Sequence, residues 1–175
     1  STLAMRHGIP YPDCTLVGVD NSEAMIERCE HYVALDDHDL PVTLRCEDIL
    51  STELSNASVT TLNFTLQFVP PEQRLALLTR IGDATLPGGV LVLSEKIRFE
   101  SDAEQATQTR LHHEFKRANG YSDLEISQKR AAIEKVLIPE TLANHRDRLQ
   151  RAGFDQVLVW YQCFNFVSML AIKNS

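Results

Sequence analysis

The first hundred residues alternate between two patterns of apolar positions. Short runs rich in Val and Leu, each ended by polar residues, predict strands at residues 15–19, 42–46 and 59–62. After the first run, apolar residues recur at the spacing of a helix, and they are Met25, Ile26, Cys29 and Val33. Residues 1–8 are expected to be helical as well. The pattern therefore predicts helices and strands in alternation.

A longer helix and a fully buried strand follow these elements. Pro70-Pro71 is predicted to open a helix that Pro87-Gly88-Gly89 closes. The apolar positions of this helix are Leu75, Leu78, Ile81 and Leu86. The next segment, VLVLSEK at residues 90–96, is almost continuously apolar, as expected of a strand covered on both faces. The alternation predicts an α/β fold with right-handed crossovers and a parallel sheet between helices.

The second half of the chain has a different character. Residues 101–152 are polar and mostly helical in pattern, with breaks near Asn119-Gly120 and at Pro139. Two β-rich runs, QVLVWYQC (156–163) and FVSMLAIK (166–173), are close enough to pair as an antiparallel hairpin at one edge of the sheet. A chain of 175 residues is long enough for one core and short for two, so we expect a single domain over residues 1–175.

Composition and charge disfavour several classes of protein. Hydrophobic residues make up 43% of the chain, no run is long enough to cross a bilayer, and no signal peptide opens it, so we expect a cytoplasmic protein without a membrane partner. The net charge of −7 argues against a broad nucleic-acid surface. The separated cysteines indicate reduced thiols. His112-His113 lacks the spacing of helical metal ligands, so no metal is expected.

Polar residues follow three of the predicted strands. The first strand is followed by Asp20-Asn21, the second by Asp48-Ile49 and the third by Asn63. In open parallel sheets, ligands bind at the carboxyl ends of the strands. Asp20 is therefore well placed to accept hydrogen bonds from both hydroxyls of a ribose. Asp48 can accept one from an adenine amino group, while the Ile49 N–H can meet a ring nitrogen.

A purely local role is the alternative for each acid. Asp20 can cap the following helix, and Asp48 can simply end a strand. Three such strand ends in the right order favour a nucleoside site over this alternative. Sheets of this kind carry a glycine-rich turn about twenty residues before the acid, and no GxGxxG precedes Asp20. We therefore expect that a first strand and its glycine-rich loop are missing from the chain.

Longer motifs resemble those of one enzyme family. VDNSEAMIERC, LNFTLQFVPPEQRLALL, LPGGVLVLSEK, HHEFKRANGYSDLEISQKR and WYQCFNF together resemble the carboxy-S-adenosylmethionine synthases, bacterial enzymes with the Rossmann-like class I methyltransferase fold. The likeness runs over residues 2–173, and NFTLQF and FKRANGYSDLEISQKR are its most specific parts. The resemblance implies a mostly parallel sheet with an antiparallel C-terminal hairpin.

The resemblance also implies a reaction and the residues that serve it. Such enzymes convert S-adenosylmethionine and prephenate to carboxy-S-adenosylmethionine and phenylpyruvate, without a metal. A separate enzyme uses the product as the carboxymethyl donor for a tRNA wobble uridine. Matched to the family's motifs, Asp20 and Asn21 would bind the ribose region, and Asp48 and Ile49 the adenine. Asn63 would lie beside the sulfonium.

Arg130, the last residue of ISQKR, would bind the transferred carboxylate and is the catalytic residue that the resemblance implies. Its planar guanidinium can donate two parallel hydrogen bonds to a carboxylate, whereas a lysine offers a point charge. The family's glycine turn and a substrate-contacting tyrosine have no counterpart in the chain. Residues 101–152 are expected to form a helical lid and part of a homodimer interface, and no direct contact with nucleic acid is expected.

Two other functions stay open at this point. An ordinary S-adenosylmethionine-dependent tRNA methyltransferase would share the fold and the substrate, but the acidic balance and the Arg130 motif count against it. An inactive, truncated fragment of a synthase is the other, because the expected missing strand would lie in the middle of the sheet.

Overall fold

Helices and strands alternate along the chain as the apolar pattern predicts. The computed structural model describes residues 1–133 and 136–174, without the side chains of residues 129–133. Two units are present, Ser1–Glu53 and Leu54–Ser175. The elements of the first unit are α1 (Thr2–Gly8), β1 (Leu16–Asp20), α2 (Glu23–Ala34) and β2 (Val42–Cys46). Those of the second are β3 (Ala57–Asn63), a 3-10 helix (Leu66–Phe68), α3 (Pro71–Ala84), β4 (Thr85–Lys96), α4 (Asp102–Ala118), α5 (Asp123–Ile133), α6 (Leu142–Arg151), β5 (Gln156–Cys163) and β6 (Phe166–Ile172).

The first unit is a parallel strand pair with two helices. β1 and β2 pair in parallel, with Leu16 opposite Val42 and Asp20 opposite Cys46. Arg6 of α1 is almost fully buried, and its Nε donates to the carbonyl oxygen of Leu40 at 3.0 Å. A buried guanidinium needs such partners, because an unpaired charge away from water is strongly destabilising. Arg6 thereby ties α1 to the segment that leads into β2.

The second unit contains a four-stranded sheet in the order β3-β4-β6-β5. β3 and β4 are parallel, whereas β6 runs antiparallel to both β4 and β5. The predicted hairpin is therefore confirmed, with β5 as the edge strand. The core of the second unit is formed by the sheet and one face of α3. Its buried residues include Leu77, Leu78, Ile81, Leu91, Leu93, Met169 and Ala171. The α/β fold class is confirmed.

The boundary between α3 and β4 differs from the prediction. α3 ends at Ala84 and β4 begins at Thr85, so Pro87-Gly88-Gly89 lies within the strand and does not close the helix. Leu86 is 41% exposed and is not a core residue of the helix. The pairing with β3 shifts register here, from Ala57 opposite Thr85 to Val59 opposite Val90. Gly88 has a φ of 76° and so supplies the left-handed backbone that this bulge requires.

The described part of the polar region at 101–152 contains three helices. The helices are separated near the predicted breaks, and α6 packs against α3 and β5. The lid and the single-domain organisation stay predictions. In the part of the chain that the structure describes, no helix has the length and apolar character needed to cross a membrane.

Gly82→Ala tests the close packing of α3 against the residue that follows α6. A Cβ atom at Gly82 would lie 2.1 Å from the carbonyl oxygen of Ala152, which is backbone and cannot rotate away. We expect the variant to lose about 2 kcal/mol or more of unfolding free energy in urea titrations. Gly8→Ala is the matched control, because a Cβ there meets nothing within 4 Å. Equal unfolding midpoints for Gly82→Ala and the wild type would contradict the packing.

Candidate substrate-binding site

The parallel pairing in the first unit places four of the predicted site residues at one edge of its strand pair. Asp20 is the last residue of β1 and lies opposite Cys46, the last residue of β2. The N–H of Glu47 donates to the carbonyl oxygen of Asp20 at 3.1 Å, which continues the pairing by one residue. Asp48 follows directly. The carboxyl ends of both strands therefore present Asp20-Asn21 and Asp48-Ile49 together.

The Asp20 side chain closes a tight turn between β1 and α2. Its Oδ1 accepts a hydrogen bond from the N–H of Ser22 at 2.9 Å. Ser22, and not Asp20, is the N-cap of α2. Within the described residues, Oδ2 of Asp20 accepts no hydrogen bond, so one carboxylate oxygen is left to accept from a ligand. Asn21 is exposed beside it. The local alternative, that Asp20 caps α2, is therefore wrong. Asp20 instead stabilises the turn that precedes the helix.

Asp48 forms a similar turn after β2. Its Oδ1 accepts from the N–H of Leu50 at 2.9 Å, and its carbonyl oxygen accepts from the N–H of Ser51 at 2.9 Å. The side chain is exposed. Among the described residues, the N–H of Ile49 donates no hydrogen bond. The Asp48 carboxylate and the Ile49 N–H are thus an acceptor and a donor in adjacent residues, as an adenine edge requires. Their roles in binding stay predictions.

Asn63 ends β3 in the second unit. It is exposed and lies opposite Ser94 of β4. The next residue, Phe64, has a φ of 56°, and its N–H donates to the carbonyl oxygen of Ser94 at 2.7 Å. A non-glycine residue in the left-handed region is strained, so surrounding contacts must hold it. The role of Asn63 beside a sulfonium stays a prediction.

Glu95 supplies the contacts that hold this turn. The side chain is fully buried, and its two carboxylate oxygens accept from the N–H groups of Leu66 at 2.8 Å and Gln67 at 3.1 Å. Burial raises the pKa of Glu95 to about 7, although these N–H groups and the charge of Arg74 act in the opposite direction. The carboxyl group fixes the start of the 3-10 helix, three residues after Asn63.

Arg74 connects the same turn to the segment between α5 and α6. Its guanidinium is fully buried and donates to the carbonyl oxygens of Val69 at 2.8 Å and Ile138 at 3.0 Å. It also pairs with Glu140, which pairs in turn with Arg148. Burial would raise the pKa of Glu140, but the hydrogen bonds from Arg148 and Arg74 outweigh it and hold that pKa below its usual value.

Arg130 belongs to α5, which lies upstream of this anchored segment. Its side chain lies outside the described residues, so its contact with a carboxylate stays a prediction. The N–H of Ile138, between α5 and α6, donates to the carbonyl oxygen of Gln67 at 2.9 Å. Ile138 is therefore attached to the turn that follows Asn63.

Other parts of the second unit offer less for a substrate. A cavity of about 480 Å³ includes Asn56, Thr85 and Lys173 among its lining residues, which places it at the amino ends of β3 and β4. Parallel sheets bind their ligands at the opposite ends. Among the described residues, no three His, Cys, Asp or Glu side chains come together as a metal site would need.

Comparisons with known proteins identify the family of the chain. The profile of the methyltransferase-domain family matches residues 2–89. The carboxy-S-adenosyl-L-methionine synthase of Marinobacter nauticus is 99% identical over 175 residues, which is the whole chain and 70% of that protein. The chain belongs to the carboxy-S-adenosyl-L-methionine synthase family. The synthase of Geobacter sp. (strain M21) is 59% identical over 174 residues, which are 99% of the chain and 71% of that protein.

A solved structure supports the fold of this synthase family member. The S-adenosylmethionine-dependent methyltransferase SibL, in its apo form, has a TM-score of 0.65 at 16% identity. The match covers 99% of the chain and 47% of SibL, so the chain spans about half the length of that structure. This likeness confirms the class I methyltransferase fold that the sequence motifs imply.

The sequence reasoning missed Glu95 and Phe64. Glu95 is the one acid in the apolar run VLVLSEK, and an acid inside a strand buried on both faces was the signal that could have found it. Phe64 stands within NFTLQF, but no local pattern predicts its positive φ. Both residues support the end of β3 and are candidates for positioning Asn63.

Glu95→Gln tests whether the pKa of this buried carboxyl group is higher in the folded protein than in the unfolded chain. Its pKa of about 7 in the folded protein lies above the ordinary 4.5, so its contribution to stability is full below pH 4.5 and is lost as the pH rises through 7. The variant lacks this titration. The difference in unfolding free energy between wild type and variant should therefore shrink by about 2–3 kcal/mol from pH 5 to pH 8.

Chemical denaturation at several pH values measures this difference. Glu100→Gln, which changes an exposed acid a few residues along the chain, is the matched control. A stability difference between the wild type and Glu95→Gln that does not change with pH would contradict the assignment.

Proposed function

We propose that this chain belongs to an enzyme that converts S-adenosylmethionine and prephenate to carboxy-S-adenosylmethionine and phenylpyruvate. The observation that carries the proposal is the 99% identity over the whole chain with a carboxy-S-adenosyl-L-methionine synthase. The product would serve as the carboxymethyl donor for a tRNA wobble uridine. We further propose that the protein is cytoplasmic, works as a homodimer and needs no metal, membrane or direct nucleic-acid contact.

The substrate would be held by the residues at the strand ends. The free carboxylate oxygen of Asp20 suits the ribose hydroxyls, because a carboxylate accepts stronger hydrogen bonds than a neutral group. Asp48 and the N–H of Ile49 offer the acceptor and the donor that an adenine edge requires. Asn21 would complete the ribose contacts. The amide of Asn63 would lie beside the sulfonium, where a neutral dipole can orient the reacting methyl group.

The chemistry needs positioning more than it needs protein acids or bases. The sulfonium acidifies its methyl group, so loss of a proton gives an ylide. Prephenate loses carbon dioxide and a hydroxide ion as its ring becomes aromatic, and the hydroxide takes the methyl proton to give water. The ylide then attacks the carbon dioxide and forms the new carbon–carbon bond. Holding the reactants together and away from water supplies the rate enhancement.

Arg130 would bind the carboxylate that this step creates. Two parallel N–H donors match the geometry of a carboxylate, and the positive charge favours the carboxylated product over S-adenosylmethionine itself. A plain methyl transfer creates no carboxylate and has no use for such a residue. The choice between the synthase and an ordinary methyltransferase therefore depends on the product.

Arg130→Ala tests this assignment directly. Mass spectrometry of the nucleoside product, after incubation with S-adenosylmethionine and prephenate, should show a species heavier by one carboxyl group for the wild type. The variant should form at least about a hundredfold less of it, because the charge-assisted hydrogen bonds to the new carboxylate are lost. Its dissociation constant for S-adenosylhomocysteine should stay almost unchanged in calorimetric titration.

Arg130→Lys is the matched control and should recover part of the activity, since it keeps the charge and loses the planar fork. Undiminished product in Arg130→Ala would remove Arg130 from the mechanism. Methylated tRNA in place of a carboxylated nucleoside would favour the ordinary methyltransferase.

A further inference from the structure

Five aromatic side chains form a continuous cluster in the second unit. Phe64 meets Phe166 edge to face, with 5.8 Å between ring centroids, and Phe166 meets His112 edge to face at 5.3 Å. His112 stacks on Phe164 at 5.3 Å, and Phe164 contacts Phe115 at 5.5 Å. Such distances are those of attractive ring pairs. The cluster joins the end of β3, the turn between β5 and β6, and α4.

This ring cluster begins at the residue that follows Asn63. Phe64 and Phe164 both have positive φ, 56° and 53°. Phenylalanine is a poor choice for this backbone region, where glycine or asparagine would be less strained, and such strain is retained where surrounding structure or function requires it. Two strained residues contribute rings to the same cluster, which indicates that the rings themselves are needed there.

The cluster also leaves apolar surface uncovered. Phe64 is 42% exposed and Phe115 is 53% exposed. Aromatic rings that serve a core alone bury most of their area, because burial is the source of their stabilising effect. An open aromatic surface next to the carboxyl end of a parallel strand lies where ligands bind in this class of fold.

Cationic side chains lie near His112 in the cluster. Burial lowers the pKa of His112 to about 4, and the charges of Lys116, His113 and Lys96 lower it further. His112 is therefore a neutral ring at physiological pH. The surroundings combine an apolar surface with cationic side chains, which suits an organic anion that carries a flat ring.

We propose that the ring cluster binds the ring of the carboxyl donor, with the donor's carboxylates directed toward Lys116. The inference rests on the proposed function. Offset and edge-to-face contacts with Phe64 and Phe115 strengthen as the bound ring becomes aromatic, because ring pairing depends on the π-electron distribution of both partners. The cluster would then favour the transition state over the donor itself, which is how binding energy accelerates a reaction.

The variants Phe64→Leu and Phe115→Leu test the proposal, because leucine keeps an apolar side chain and removes the ring. Each should raise the KM for prephenate and the dissociation constant of phenylpyruvate by about two- to tenfold. The affinity for S-adenosylhomocysteine should not change in Phe115→Leu. Trp160→Leu, which alters a 63% exposed ring on the edge strand β5, is the matched control and should affect none of these values.

The binding of phenylpyruvate is measured by ligand-observed NMR, so it does not depend on turnover. A wild-type protein that binds phenylpyruvate through Phe64 and Phe115 but forms no carboxylated product would contradict the proposed function and support the ring site. Unchanged phenylpyruvate binding in both variants would overturn the ring site. A change of oligomeric state in sedimentation, without a change in binding, would also overturn it, since the cluster would then serve contact between copies of the chain.

Discussion

Parallel strand pairing is the constraint on which the proposed chemistry depends. Two neighbouring parallel strands end at the same edge, so whatever residues follow them are brought together without any further contact. In the first unit this pairing sets Asp20 beside the segment that leads to Asp48. In the second it sets Asn63 opposite Ser94, directly before the buried Glu95. The backbone pairing therefore sets the positions of the predicted site residues.

Buried polar groups then hold the second of these edges in shape. Glu95 fastens the turn after Asn63, and Arg74 fastens the same turn to Ile138 and Glu140. Buried ionised groups are strongly destabilising when they lose a partner, so this network has few alternative arrangements. Its value is therefore in specifying one geometry for the end of β3 and for the segment at Ile138 and Glu140, more than in added stability.

The sequence predicts most of the fold, and particular residues explain why some features of it were not predicted. Strands β1 to β3 and the hairpin follow from runs of apolar residues, since burial decides them. The start of β4 does not, because Pro87-Gly88-Gly89 has the composition of a turn while tertiary pairing draws it into a bulged strand. The roles of Glu95 and Phe64 were missed for a related reason, since the turn after Asn63 is held by hydrogen bonds to Ser94 and Glu95, which are distant in sequence. For the site, the polar strand ends were predictable, but their partners were not.

We propose that the carboxylate and amide groups that follow these strands bind S-adenosylmethionine. Titration of the ¹⁵N-labelled protein with S-adenosylmethionine, followed by amide chemical shifts, tests it residue by residue. We expect saturable changes in the amide chemical shifts of Asp20, Asn21, Asp48, Ile49 and Asn63. Changes at Thr85 and Lys173, which line the cavity, should be small. Shifts centred on that cavity, or none at the strand ends under saturating ligand, would contradict it.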